Sequence, residues 1–185
     1  KIFKINFSFD SSLIDVNFSV KEKFISCFSA NKLSNHVDEL YSERIKAIEY
    51  FNKNYPKDFD LFGSGWNRSY IFPRVYMFFR FLNINFSLRI ISKTLNLILK
   101  NIPIVKSFIY TKYDTYKGYT NNKFKQLKKY KFSICYENLL NDNGYITEKI
   151  FDCLRVGVIP IYLGAKNINK YIPDDIYVDK SKFYS

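Results

Sequence analysis

The stretch Tyr130 to Gly164, YKFSICYENLLNDNGYITEKIFDCLRVGVIPIYLG, confines the chain to a small set of folds. Lys131 to Tyr136 run apolar in alternation, like a buried strand, and Glu137, Asn138, Asn141, Asp142, Asn143 and Gly144 then read as a loop. A helix restarts at Thr147, a good N-cap, with Ile150, Phe151 and Leu154 as its inward stripe. Gly157 supplies the stop, and Val158 to Leu163 make a second apolar strand. The result is a β-α-β unit, which belongs in an α/β parallel sheet with flanking helices. In such sheets ligands collect beyond the carboxyl ends of the strands, where helix N-termini offer free N–H groups and partial positive charge to phosphate. Tyr145, Glu148 and Lys149 stand at that spot.

Earlier in the chain, Lys23 to Ala30 reads as a first buried strand and Val37 to Phe51 as an amphipathic helix. Val37, Tyr41, Ile48 and Phe51 make its inward stripe, and Arg44 falls on that stripe. An arginine there must snorkel or find an anion, because burying an unpaired guanidinium is costly. Phe59 to Trp66 is a short strand ending in a Gly-x-Gly turn at Gly63 and Gly65; without a third glycine it is no dinucleotide fingerprint.

The ordered series of motifs resembles glycosyltransferase family 10, the α-1,3/1,4-fucosyltransferases. The pattern F-x-x-C-[FY]-E-N spans Phe132 to Asn138, Y-[IV]-T-E-K-[IF]-x-D spans Tyr145 to Asp152, and G-x-[IV]-P-[IV]-x-x-G spans Gly157 to Gly164. Flanking matches are Ser29-Ala30-Asn31-Lys32, Tyr41 with Arg44, Asp58 to Gly63 ahead of Gly65-Trp66, Tyr116-Lys117-Gly118, and Tyr171-Ile172-Pro173 with Asp175. The resemblance implies a Rossmann-like parallel sheet, the C-terminal, GDP-fucose-binding lobe of a GT-B glycosyltransferase, filling residues 1–185. It implies donor-binding roles for Arg44, Asn138, Tyr145, Thr147, Glu148 and Lys149, with Arg44 and Lys149 on the diphosphate and Glu148 on ribose or fucose hydroxyls. Asn31, Lys32, Gly63, Gly65 and Glu137 would border the nucleotide cleft.

By the same resemblance the reaction is transfer of L-fucose from GDP-fucose to a glycan hydroxyl with inversion, giving an α-1,3 linkage. The acceptor would be an oligosaccharide containing galactose or N-acetylglucosamine. The general base is expected in an acceptor lobe outside this chain, which begins without Met and reads as a fragment or partial gene product. No cofactor is expected and no divalent metal is strictly needed; Asp174-Asp175 follows a proline and reads as a turn. Two other readings stay open, a catalytically incomplete nucleotide-sugar-binding module and a GT-B transferase using another GDP-sugar.

At 185 residues and 47% hydrophobic, the chain can bury one good core. Net charge is +12, and Arg68 to Lys131 holds fourteen Lys or Arg against Asp114 alone, which asks for an anionic partner. Within it Phe86 to Lys100 carries Leu88, Ile91, Leu95 and Ile98 at helical spacing, either a core-facing helix with a basic side or an interfacial helix on anionic lipid. Residues 68–114 read as an insertion relative to shorter family members. No nucleic-acid recognition motif accompanies the aromatics. Cys27, Cys135 and Cys153 lack metal-ligand spacing and read as buried thiols. His36 precedes a helix and reads as a surface or capping residue. Lys- and Asn-rich composition favours a bacterial, viral or protist source, with a cytoplasmic or peripheral membrane location if bacterial or viral and the Golgi membrane if eukaryotic.

Overall fold

In the computed structural model, residues 21–32, 34, 36–66, 113–141 and 144–183 are described. The expected amphipathic helix at Phe86 to Lys100 and almost all of the basic insertion at 68–114 lie outside them.

Five strands form one parallel sheet in the order β2-β1-β3-β4-β5. They are β1 (Lys23–Phe28), β2 (Phe59–Phe62), β3 (Tyr130–Asn141), β4 (Ile159–Ala165) and β5 (Val178–Asp179). Helix α1 (Tyr41–Asn54) joins β1 to β2, α2 (Lys123–Leu127) precedes β3, and α3 (Glu148–Arg155) joins β3 to β4. From β1 the chain crosses outward to one side of the sheet, and from β3 it crosses to the other. Right-handed crossovers in opposite directions put their helices on opposite faces. Accordingly there are two cores: Ile45 and Ile48 of α1 pack with Ile25, Cys27, Leu61 and Ile134, while Ile150 and Cys153 of α3 pack with Cys135, Val158 and Tyr162. Between β1 and β3 the direction of strand addition reverses, and there the carboxyl ends of an open sheet leave a crevice.

The expected parallel α/β sheet with flanking helices is the one observed, with shifted boundaries. β3 runs on through Glu137 and Asn138 to Asn141, residues whose polarity suggested a loop. Residues 38–40 form a short antiparallel partner for it: Leu40 N donates to Asn138 O at 2.9 Å and Leu140 N to Asp38 O at 2.7 Å. That pairing also removes the first turn expected of α1, which starts at Tyr41 and leaves Val37 exposed. Glu39 holds the new start, accepting from Ser42 N at 3.0 Å. Gly157 ends α3 as expected, with φ of 63°. All three cysteines are buried free thiols, and Asp174 and Asp175 sit in an exposed turn. Among the described residues no helix is long and apolar enough to cross a membrane.

Candidate functional site

Strand alternation decides where the end of β3 points its side chains. Cys135 and Glu137 face the α3 side; Tyr136 and Asn138 face α1.

On the α1 side lies Arg44, only 5% exposed. Its Nη2 donates to Tyr136 O at 2.6 Å and Glu137 O at 2.9 Å, and approaches Asn138 Oδ1 at 3.4 Å. The guanidinium also lies against the Tyr41 ring, 5.2 Å from its centroid. Arg44 therefore neither snorkels nor meets an acid: among the described residues no carboxylate pairs with it. One nitrogen braces the end of β3, and no described residue supplies a counter-charge. A buried cation in that condition is unfavourable until an anion arrives.

On the α3 side Glu137 is 0% exposed and ties β3 to the helix entrance. It accepts from Thr147 N at 2.8 Å, from Thr147 Oγ1 at 2.7 Å and from Lys149 Nζ at 2.9 Å. Lys149 Nζ also donates to Thr147 Oγ1 at 2.7 Å. An ammonium has three donors, so one remains for a ligand. Thr147 occupies the expected N-cap position, yet its hydroxyl goes to Glu137 and no side chain caps α3. The first-turn N–H groups thus lack a side-chain acceptor, which favours a bound anion. Glu148, 63% exposed in its side chain, projects outward, with Oε1 3.9 Å from Lys149 Nζ.

The loop ahead of α3 is fastened from the far side. Gly144 N donates to Asn167 Oδ1 at 3.1 Å, and a Cβ on Gly144, where φ is 73°, would lie 2.9 Å from the Tyr171 hydroxyl. Tyr145, half-buried, follows directly. The Gly-x-Gly turn after β2 is zipped to the end of β1: Asn31 N donates to Ser64 O at 2.9 Å, Asn31 Nδ2 to Gly65 O at 3.2 Å, and Trp66 Nε1 to Ser29 O at 2.7 Å. Gly63 has φ of 133°, and any side chain there would overlap the Ser29 carbonyl.

Arg44, Asn138, Thr147 and Lys149 are thus gathered around the end of β3, with Tyr145 and Glu148 on the same loop and helix entrance. Glu137 is turned into the protein by strand alternation, and Gly63 makes room for the chain's own Ser29 backbone. Lys32 is exposed and outside the cluster. Sequence reading missed the bracing of β3 by Arg44; an arginine on an apolar stripe, facing a strand end with surplus carbonyls, was the available signal. It also missed Asp152, which anchors α3 to α2 through Lys123 at 2.7 Å.

Fold and site together define an α/β protein whose switch point carries a buried cation with no carboxylate partner among the described residues, beside a helix whose N-cap side chain does not cap it. The sequence profile of glycosyltransferase family 10 (fucosyltransferase) C-term matches residues 93–185. The chain belongs to that family. It is 46% identical over 52 residues to GDP-fucose protein O-fucosyltransferase 3 of Danio rerio, covering 28% of this chain and 11% of that protein. To the alpha-(1,4)-fucosyltransferase of Arabidopsis thaliana it is 43% identical over 56 residues, covering 30% of this chain and 14% of the relative. A crystal structure of an alpha1,3-fucosyltransferase shares the fold, with a TM-score of 0.51 at 20% identity, over 91% of this chain and 32% of that one. The chain therefore spans about a third of the solved enzyme, and its alignments cover a smaller share of the curated relatives.

Proposed function

We propose that this chain is the donor-binding lobe of a fucosyltransferase and that its ligand is GDP-fucose. The observation that carries this reading is Arg44, a buried guanidinium without a carboxylate partner among the described residues, set at the switch point of a family 10 sheet. A diphosphate would supply the missing charge.

In this reading the free N–H groups of Arg44, the third proton of Lys149 and the first-turn N–H groups of α3 receive the phosphate oxygens. Glu148 and Tyr145, at the helix entrance, take ribose or fucose hydroxyls, and Asn138 orients the nucleotide. In the transfer itself an acceptor hydroxyl attacks the anomeric carbon, the bond from that carbon to the β-phosphate oxygen breaks, and GDP leaves with the electron pair. The hydroxyl proton passes to a base that we place in an acceptor lobe outside this chain. Charge grows on GDP as the bond lengthens, and Arg44 and Lys149 are positioned to stabilise it. We assign that work to these side chains rather than to a divalent ion. The sugar acceptor, a galactose- or N-acetylglucosamine-containing glycan, would be bound by that other lobe, and the basic segment at 68–114 would contact an anionic membrane surface.

The test is calorimetric titration of the 185-residue chain with GDP-fucose, GDP-mannose and UDP-galactose. Binding of GDP-fucose in clear preference to UDP-galactose is expected. Equal affinity for guanine and uridine donors, or none for either by a folded sample, would overturn the assignment, and tighter binding of GDP-mannose would redirect it to another GDP-sugar.

A further inference from the structure

Resting on the donor reading, the Glu137 carboxylate has a consequence beyond geometry. It is completely buried and accepts from Thr147 N, Thr147 Oγ1 and Lys149 Nζ. Fixing the loop would not require a full negative charge, and burying one is costly. Its effect is to offset the Lys149 ammonium inside the protein, 2.9 Å away. Glu148, the other acid nearby, has a side chain that is 63% exposed, so water screens it. Of the two cations at the end of β3, Arg44 alone then presents uncompensated charge among the described residues.

We infer that Glu137 is a positioning residue that sets the charge offered to the diphosphate, and thereby the balance between a nucleoside diphosphate sugar and the free nucleoside diphosphate. Release of the sugar frees a terminal phosphate oxygen, so the product carries additional negative charge at neutral pH. A site with two uncompensated cations would hold that product harder than the substrate. With Lys149 offset by Glu137, the site fits the less charged sugar diphosphate and lets the product go.

Dissociation constants for GDP and GDP-fucose would be measured by calorimetry on the 185-residue chain and on its Glu137→Gln and Lys149→Met variants. Glu137→Gln should shift the affinity ratio toward GDP by about three- to tenfold, the order expected for one unit of charge across a short, partly screened distance. Lys149→Met should shift it toward GDP-fucose. A merely structural Glu137 would predict that Glu137→Gln weakens both ligands by the same factor, and that result would overturn the inference. If Glu137→Gln alone does not fold, the double variant Glu137→Gln/Lys149→Met is compared with Lys149→Met: its ratio should move back toward GDP, and an unmoved ratio would overturn the inference. Failure of the parent chain to bind either nucleotide would defeat the donor reading as well, whereas binding with unmoved ratios defeats only the charge balance.

Discussion

Gly164 lies so close to Glu137 that a Cβ on the glycine would come 2.6 Å from Glu137 Cγ, and 2.5 Å from the Tyr162 hydroxyl. The last glycine of β4 therefore reserves the space in which Glu137 reaches Thr147 and Lys149. Tyr162 is fixed in turn, its hydroxyl accepting from Ala165 N at 3.0 Å. Gly164→Ala should displace both side chains and cost about 1–3 kcal/mol of stability, the usual range for overpacking. Denaturant unfolding measures it, and GDP affinity should fall with it. A variant as stable as the parent would show that Glu137 is less tightly seated.

Acid and alkali should destabilise the fold through Asp60 and Tyr130, which share a hydrogen bond of 2.6 Å. Burial alone would raise the Asp60 carboxyl, but hydrogen bonds from Lys23 and Tyr130, with the charges of Lys23 and Lys117, hold it below its ordinary value. A carboxyl depressed by folding adds stability above its unfolded value, ~3.9, and loses it as pH falls through the folded value. Burial first, and then Asp60, raise the Tyr130 hydroxyl, so stability should also fall as pH rises above the ordinary tyrosine value of ~10. Urea midpoints across the pH range should show both limbs, and Asp60→Asn should flatten the acid one. An acid limb unchanged by that substitution would contradict the assignment.

Cys135 and Cys153 bring their sulfurs to 3.2 Å in the core between β3 and α3. Their mutual hydrogen bond, then burial, push the Cys135 thiol well up, and burial raises Cys27 too. Protonated, buried thiols react slowly. A disulfide reagent should therefore titrate Cys27 and Cys135 slowly in the native chain and all three cysteines promptly in urea. Prompt native labelling of Cys135 would mean that β3 and α3 separate readily.

Much of this was legible in the sequence because the β3-α3-β4 unit is local. Apolar alternation, a restart at Thr147 and a stop at Gly157 are all read within one stretch of chain. The end of β3 was not, since its strand character comes from residues 38–40, about a hundred positions away, and the segment Asn138 to Asn141 itself carries no sign of that partner. The same distance hid the bracing by Arg44. Spacing placed the arginine on an inward stripe and so raised the problem of its charge, but which groups it meets depends on the α1 face packing against β3. The inward turn of Glu137 was hidden for a different reason: its polarity suggested a loop, whereas alternation from Cys135 along a continuing strand turns it inward.

The central claim is that Arg44 awaits a phosphate, and a cycle between Arg44 and the phosphates of the ligand tests it most directly. Affinities for guanosine, GMP and GDP would be measured calorimetrically on the parent chain and on Arg44→Met. In the parent, affinity should climb along the series, and the gain should shrink in Arg44→Met by on the order of 1.5–3 kcal/mol, the worth of a hydrogen bond to a charged group. Because each chain is its own reference, any general loosening of β3 cancels. An identical gain in both chains would contradict the account and put the diphosphate elsewhere.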